Sequence, residues 1–210
     1  MKFFKDNSYD IVKLFINQIG IAIFSMMLYV SVSLIEDAEL VATMKVLVSI
    51  FSILFYYALI YTAAWDFGAK DKIKIDGGKS SFSIFKGALL ALFANLINFV
   101  IVGIAIVCKL IHYGGGAEGF DFAFGILNTV FRFTMSMYLG VIAAIFPFPE
   151  VDMTSEAASE LLALPYIYQT VAYFVFPIIV IGVTQIGYYL GRRDLRIAYL
   201  FSDRNDKNAG

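Results

Sequence analysis

The sequence predicts an all-α fold, a polytopic transmembrane helical bundle with four to five spans. Two observations lead to this prediction. Hydrophobic residues make up 60% of the chain and charged residues 16%, whereas soluble proteins average roughly 25% charged residues. The apolar residues are concentrated in five blocks, which cover residues 11–34, 41–65, 87–111, 122–147 and 165–190. Each block reaches the length of about 20 residues that a helix needs to cross the hydrocarbon core.

The ends of the blocks carry residues that are typical of helix ends. Asp10 is a suitable N-cap for the first helix, because a side-chain oxygen there accepts a free backbone N–H of the first turn. The consecutive glycines from Gly114 to Gly116 end the third helix, since glycine favours turns over helix. Pro149 follows the fourth block and disfavours its continuation.

The blocks and their connections form a single transmembrane domain, residues 1–210. A short helix over 154–162, capped by Thr154, is predicted to lead into the fifth block. The polar segment 202–210 is predicted to be a frayed cytoplasmic tail. The connection 66–86 is predicted to be a cytoplasmic loop, and its lysines between Lys70 and Lys86 contact anionic lipid headgroups at about 1 kcal/mol each.

The basic residues are separated from the acidic ones along the chain. Of the 16 Lys and Arg residues, 13 lie around the start of the first block, between the second and third blocks, or after the last block. These residues are Lys2, Lys5, Lys13, Lys70, Lys72, Lys74, Lys79, Lys86, Arg192, Arg193, Arg196, Arg204 and Lys207. Short loops rich in Lys and Arg stay in the cytoplasm. The N-terminus, the loop 66–86 and the C-terminus are therefore predicted to be cytoplasmic.

This orientation conflicts with five simple spans. An even number of crossings must separate the loop 66–86 from a cytoplasmic C-terminus, but three blocks lie between them. We expect the block 122–147 to be the exception, because Arg132 stands near its middle and a central arginine costs about 2.5–3.5 kcal/mol on insertion scales. Gly125 and Gly140 also weaken a helix there. The sequence thus favours four full spans plus a broken or re-entrant segment, and five spans with an external C-terminus are the alternative.

The residue types in the chain exclude several functional classes. One cysteine, Cys108, and one histidine, His112, exclude an internal disulfide, a cysteine-based zinc site and a histidine cluster. No Asp or Glu lies inside a block, although proton-coupled pumps and intramembrane aspartyl proteases depend on such acids. The run Gly77–Ser80 is not a phosphate-binding loop, because Ile73 stands where the first glycine is required. We therefore predict no catalytic residue, metal or cofactor, and a net charge of −1 gives no reason to expect nucleic acid.

Polar residues recur at a similar depth in the inner half of several blocks. Asn95 and Asn98 are three residues apart and share one helix face. Residues at the same predicted depth in other blocks are Asn17, Gln18, Tyr61, Thr62, Thr184 and Gln185. Such side chains either form hydrogen bonds between helices, at about 0.6 kcal/mol each, or line a polar cavity open to the cytoplasm. The sequence leaves both interpretations open.

Arg132 is the strongest candidate for a functional residue, because an ionisable residue inside a membrane segment is costly and is usually kept for a function. Residues four apart in this block would form one polar stripe on a helix: Asn128, Arg132, Ser136 and Gly140. The guanidinium suits a carboxylate, a phosphate or carbonyl oxygens. The predicted polar centre consists of Arg132, Asn128, Asn95 and Asn98. We expect Arg132 to be buried in a bend, facing Asn95, Asn98 or freed carbonyls; alternatively, it reaches an interface or caps broken backbone.

Three short motifs occur along the chain in a distinctive order. The first runs from Trp65-Asp66-Phe67-Gly68-Ala69-Lys70-Asp71 to Asp76-Gly77-Gly78, the second is Met137-Tyr138-Leu139-Gly140, and the third is Gly187-Tyr188-Tyr189-Leu190-Gly191. In this order they resemble small, uncharacterised integral membrane proteins of Clostridia-type bacteria. The resemblance implies a multi-pass protein of the bacterial cytoplasmic membrane. It implies no activity and assigns no catalytic or binding residue.

Three functions remain open at this point. The leading hypothesis is a non-enzymatic, transporter-like or channel-like protein, or a membrane subunit of one, whose polar cavity reaches Arg132. The first alternative is a non-catalytic accessory or scaffold protein that binds lipid or another membrane protein, with a dry, tightly packed bundle. The second alternative is an intramembrane enzyme that acts on lipids, in which Arg132 and the loop lysines hold a headgroup phosphate.

Overall fold

The computed structural model describes residues 2–78, 83–149 and 158–195, and all regular secondary structure in these ranges is helical. The helices are α1 (Lys2–Asp6), α2 (Ser8–Val32), α3 (Ala38–Asp76), α4 (Lys86–Tyr113), α5 (Glu118–Thr134), α6 (Leu139–Ile145) and α7 (Ala158–Arg192). A 3₁₀ turn, Ser136–Tyr138, lies between α5 and α6. The predicted all-α helical bundle is confirmed.

Four helices are long and apolar enough to cross a membrane. They are α2, α3, α4 and the part of α7 from Pro165 to Arg192. The pair formed by α5 and the segment Ser136–Ile145 is bent by 85°, and it adds a fifth span only if the pair is one crossing. The chain is thus a polytopic membrane protein, and the predicted break within 122–147 is confirmed.

Local sequence explains several helix ends. The Asp37 carboxylate accepts hydrogen bonds from the backbone N–H groups of Glu39 and Leu40, both at 3.0 Å, which satisfies two free donors in the first turn of α3. The helix α4 ends at the predicted glycine break, where Gly115 has a φ of +88° that other residues adopt only with strain. The predicted cap Asp10 is wrong, because α2 already begins at Ser8.

The helix α3 extends further than the sequence suggested. It has 39 residues and ends at Asp76, so the first half of the predicted loop 66–86 is helical. A lone glycine, Gly68, is tolerated inside a helix, whereas the pair Gly77-Gly78 ends it. Gly78 has a φ of +70°, which suits a helix end.

Some predictions at the C-terminal end fall on residues that are not described. Thr154 and the tail 202–210 lie outside the described residues. From Ala158 onward, the predicted short helix is continuous with α7, which contains Pro165 and Pro177. The fifth block therefore does not begin a new helix at Pro165.

Contacts between residues group the chain into two compact units. The first unit comprises residues 1–14, 57–94 and 180–210, and the second comprises residues 15–56 and 95–179. Parts of α3 and α7 pack together in the first unit. The second unit contains the break between α5 and α6.

In the first unit, α3 and α7 approach so closely that only glycine fits at several positions. A Cβ atom added at Gly68 would overlap the carbonyl oxygen of Tyr188, and one added at Gly191 would overlap that of Trp65. A Cβ atom added at Gly187 would lie 2.7 Å from the carbonyl oxygen of Tyr61 on α3, which is also too close. Small residues four apart allow such contacts between membrane helices. The motifs that begin at Trp65 and at Gly187 therefore pack against each other.

Candidate functional site

The break in the second unit follows from a short change of backbone conformation. The helix α5 ends at Thr134, and Met135 has a φ of −124° and a ψ of 30°. Gly140, near the start of α6, lies so close to the carbonyl oxygen of Lys45 that an added Cβ atom would overlap it. Because Gly140 has no side chain, α6 packs directly against the backbone of α3.

Side chains from α2 and α3 satisfy the backbone groups of this break. The Ser49 hydroxyl donates to the carbonyl of Met137 at 2.6 Å and accepts the N–H of Val141 at 3.2 Å. The Tyr29 hydroxyl accepts the N–H of Gly140 at 2.9 Å. Non-helical backbone inside a membrane protein needs such partners, since the hydrocarbon core offers no water. The break is therefore held by specific hydrogen bonds.

Gln18 on α2 connects the break to two of the predicted site residues. Its Nε2 donates to the carbonyl of Thr134 at 3.4 Å, and its Oε1 accepts from Asn98 Nδ2 at 3.0 Å. Asn98 Nδ2 also donates to Asn95 Oδ1 at 3.3 Å. Gln18, Asn95 and Asn98, which we call the amide cluster, are only 2–3% exposed. These contacts support hydrogen bonding between helices rather than the lining of a wet cavity.

Arg132 lies two residues before the end of α5 and is half-buried. Its Nε donates to Asn128 Oδ1 at 3.0 Å, and its Nη2 donates to Gln169 Oε1 on α7. Gln169 is buried, and its Nε2 donates to the carbonyl of Phe146 at 2.6 Å. The guanidinium carbon lies 6.0 Å from the centre of the Phe148 ring, at the limit of a cation–π contact. Arg132, Asn128 and Gln169 are called the Arg132 cluster below.

The predicted polar centre is divided between these two clusters. The contact between Arg132 and Asn128, which the spacing of four residues predicted, is confirmed. The expectation that Arg132 faces Asn95, Asn98 or freed carbonyls is wrong, because its acceptors are amide oxygens. The predicted stripe does not continue to Ser136, since α5 ends before it and its hydroxyl donates to a carbonyl of α2 instead.

Among the described residues, the charge of Arg132 has no carboxylate partner. The three ion pairs there are Lys74–Asp71, Lys86–Asp71 and Lys109–Asp121. Asp121, an acid close to the start of α5, is bound to Lys109 at 2.7 Å and not to Arg132. Arginine has five N–H donors, and two of those on Arg132 bond to amide oxygens. The guanidinium therefore has further N–H donors beyond these two bonds.

Three residues of the site were not predicted from the sequence: Gln169, Tyr29 and Ser49. Gln169 lies near the start of the fifth block, outside the inner half where polar residues were sought. A polar residue in an apolar block is a signal that could have identified it. Ser49 contacts residue 137, which is 88 positions away, and no local pattern connects two such residues.

A further group of buried polar residues lies in the first unit. Asp71, which falls in the predicted loop 66–86, is 5% exposed, forms an ion pair with Lys86 and accepts a hydrogen bond from the Tyr188 hydroxyl at 2.7 Å. Lys86, at the end of the predicted loop, is therefore paired with Asp71. A buried ion pair costs desolvation and is by itself weak evidence for added stability. Together with the Tyr188 hydroxyl, this pair connects α3, α4 and α7.

A cavity of about 690 Å³ lies in the second unit between α2, α3 and α6. It is lined by Tyr29 and Ser33, by residues of α3 between Ala38 and Val46, and by residues of α6. Neither the Arg132 cluster nor the amide cluster lines it. This cavity therefore does not match the predicted polar cavity at Arg132.

The three sequence motifs have distinct positions in the fold. Two pack together in the first unit, and Met137–Gly140 forms part of the break. The resemblance to membrane proteins of Clostridia-type bacteria stays a prediction. Comparison of the chain with protein-family models, with curated proteins and with solved structures finds no match.

Proposed function

We propose that this protein is a non-catalytic membrane protein that binds an anionic group at Arg132. The observation that carries the proposal is a half-buried arginine whose guanidinium is held by Asn128 and Gln169 and has no carboxylate partner among the described residues. A charge inside an apolar segment is costly, and a bound anion offsets that cost. Phosphate and carboxylate groups suit the planar fork of arginine.

The surroundings of Arg132 support binding better than catalysis. The Arg132 side chain contacts two amide oxygens and the aromatic ring of Phe148, and the buried Tyr173 hydroxyl lies within its electrostatic reach. None of these groups accepts a proton at neutral pH. An enzyme that acts on lipids needs a base beside the headgroup. The amide cluster supports a bundle held by internal hydrogen bonds, as expected for an accessory or scaffold protein.

A transporter-like or channel-like protein, or a membrane subunit of one, is the second candidate. The 85° break between α5 and α6 favours it, because transporters build their substrate sites at discontinuous helices. In that case the Arg132 cluster is the substrate site. The two candidates share the anion and differ in whether the anion crosses the membrane.

We further infer that the protein lies in the bacterial cytoplasmic membrane with both termini in the cytoplasm. The position of 13 of the 16 basic residues supports this orientation. Four spans together with a re-entrant α5 and α6 supply the even number of crossings that it requires. Headgroup contacts of Lys70, Lys72 and Lys74, on the last turns of α3, belong to the same proposal.

The test of anion binding replaces Arg132 with glutamine, which removes the charge and keeps a polar side chain. The protein is titrated with inorganic phosphate in one arm. In the other arm, native mass spectrometry compares the retention of phosphatidylglycerol and phosphatidylcholine. We expect Arg132→Gln to weaken binding about tenfold or more in one arm, since hydrogen bonds to charged groups contribute about 1.5–3 kcal/mol. Weaker binding in the phosphate arm would indicate that the ligand is a free anion, and weaker retention of phosphatidylglycerol would indicate a lipid headgroup.

Arg193→Gln is the matched control, because Arg193 is exposed and stacks on the Tyr189 ring at 4.4 Å in the first unit. Arg132→Lys keeps the charge without the fork and should retain part of the binding. Unchanged binding of Arg132→Gln in both arms would contradict the proposal. Uptake of the anion into proteoliposomes, lost in Arg132→Gln, would favour the transporter, and binding without uptake would favour the accessory protein.

A further inference from the structure

The cavity between α2, α3 and α6 is a second candidate site, separate from the Arg132 cluster. Its volume of about 690 Å³ lies within the range of roughly 300–1,000 Å³ found for ligand pockets. The space exists because alanines line both helical walls: Ala38 and Ala42 on α3, and Ala143 and Ala144 on α6. We call this cavity the alanine groove.

Contacts within the protein hold the α6 wall of the alanine groove against α2 and α3. Hydrogen bonds from Ser49 hold Met137 and Val141, and Tyr29 holds Gly140. The contact of Gly140 with the backbone of α3 sets the distance between α6 and α3 at the groove. A preformed pocket avoids the cost of ordering its own walls when a ligand binds.

The position of the groove indicates what surrounds it. Both α2 and α3 are long and apolar enough to be membrane spans. Lys45 is seven residues into α3, which is about 10 Å along the helix from Ala38. Near the end of a membrane span, both the acyl chains and the headgroups of phospholipids are within reach of such a side chain.

Lys45 is the basic residue that lines the alanine groove. It is half-buried. None of the three ion pairs within residues 2–78, 83–149 and 158–195 includes it. The other wall residues are mainly apolar, with hydroxyl groups on Tyr29, Ser33 and Thr43. An apolar groove beside an unpaired ammonium is complementary to an acyl chain that carries an anionic headgroup.

We propose that the alanine groove holds one acyl chain of an anionic phospholipid, with the phosphate of that lipid at Lys45. The site uses a different cavity and a different basic residue from the Arg132 cluster, so it does not rest on the proposed function. The helix α6 would then act as the wall of a lipid site, which gives the break a role beyond its own stability.

The experiment measures lipid retention by native mass spectrometry in an Arg132→Gln background, which removes the other basic site. Phosphatidylglycerol and phosphatidylcholine with identical acyl chains are compared. Ala143→Leu fills the groove and should abolish the retention of phosphatidylglycerol. Ala58→Leu is the matched control, because Ala58 is an exposed alanine in the first unit. Lys45→Gln should lower the preference for phosphatidylglycerol about fivefold, the change expected for one lysine near an anionic lipid, and Lys45→Arg should restore it.

Three results would overturn this proposal. One is retention of phosphatidylglycerol that Ala143→Leu and Ala58→Leu affect equally. The other is a preference for phosphatidylglycerol that Lys45→Gln leaves unchanged. If the groove binds a second copy of the chain instead, Ala143→Leu should convert a dimer to a monomer and leave lipid retention intact, which also contradicts the proposal. Circular dichroism of each variant checks that it is folded.

Discussion

Ser49 and Ser52 lie three residues apart on α3, and both are fully buried. The Ser49 hydroxyl bonds to two backbone groups of the break. The Ser52 hydroxyl has no hydrogen-bond partner within the described parts of the chain. A buried hydroxyl without a partner loses its bonds to water and gains none in return. The same residue type at neighbouring positions therefore has opposite effects on stability.

This contrast gives a prediction for alanine substitutions. Ser49→Ala should lower the free energy of unfolding by about 1.2 kcal/mol, because two hydrogen bonds of about 0.6 kcal/mol each are lost in a membrane protein. Ser52→Ala should be neutral or slightly stabilising. Reversible unfolding in mixed micelles measures both variants, and equal losses would contradict the assignment of Ser49 to the break.

The contacts of the candidate site could be predicted from the sequence only where the two residues lie close together along the chain. The contact of Arg132 with Asn128 follows from the four-residue spacing, which brings two side chains together on any helix. The contact with Gln169 joins residues that are 37 positions apart, and it depends on how α7 packs. The same holds for Gln18, which bonds to Asn98 at a separation of 80 positions.

Two glycines of α7 differ in how closely they approach other helices. A Cβ atom at Gly191 would overlap the backbone of Trp65, whereas one at Gly182 would have nothing within 4 Å. Both glycines belong to the first unit and to the same helix. The close approach of α3 and α7 therefore depends on Gly191 and not on Gly182.

We predict that alanine substitutions at these two positions act in opposite directions. Gly191→Ala should destabilise the protein by about 1–3 kcal/mol, as overpacking does, and Gly182→Ala should stabilise it by up to about 1 kcal/mol through helix propensity. Trp65 is the only tryptophan in the chain, and its Nε1 donates to the carbonyl of Leu195 at 2.9 Å. Its fluorescence should therefore shift in Gly191→Ala alone. A shift of the same size in Gly182→Ala would argue against the contact.

The presence of a break in the block 122–147 could be predicted from the sequence, but its position and its angle could not. A central arginine and two glycines in the block 122–147 were sufficient to expect a break. The position of the break at Met135 and the 85° bend depend on Tyr29 and Ser49, which come from other helices. Their hydrogen bonds compensate backbone groups that a continuous helix would have satisfied itself.

Topology is the property of the whole molecule that the charges predict. Cysteines placed at Ser80 and at Asn208, in a Cys108→Ser background, should resist a membrane-impermeant thiol reagent in intact cells. A cysteine at Glu36, in the acidic connection before α3, should react and so serves as the control. The physical reason is that short loops rich in Lys and Arg stay on the cytoplasmic side, and 13 of the 16 basic residues lie in the three segments that are predicted to be cytoplasmic.

Labelling at position 208 but not at position 80 would show that α5 and α6 cross the membrane as a fifth span. Labelling at both positions would reverse the whole orientation. Protection of both positions, with reaction at position 36, fits four spans and a re-entrant segment. The result also decides at which side of the membrane the alanine groove opens, because Glu36 lies two residues before Ala38, where α3 begins.

The sequence by itself determined the fold class, a range of four to five membrane spans and the presence of a break, because these follow from composition, from block length and from the arginine and glycines of one block. It also identified Arg132 and its helical neighbour Asn128. Only the tertiary structure decided that Arg132 is bound by Gln169, that the asparagines form a separate cluster, and that α3 and α7 meet at glycines. The pattern of apolar residues indicates which segments are removed from water. It does not indicate which helices pack together, because lipid tails are as apolar as the helix surfaces. In a bilayer the neighbouring helix is determined by close packing and by hydrogen bonds between helices.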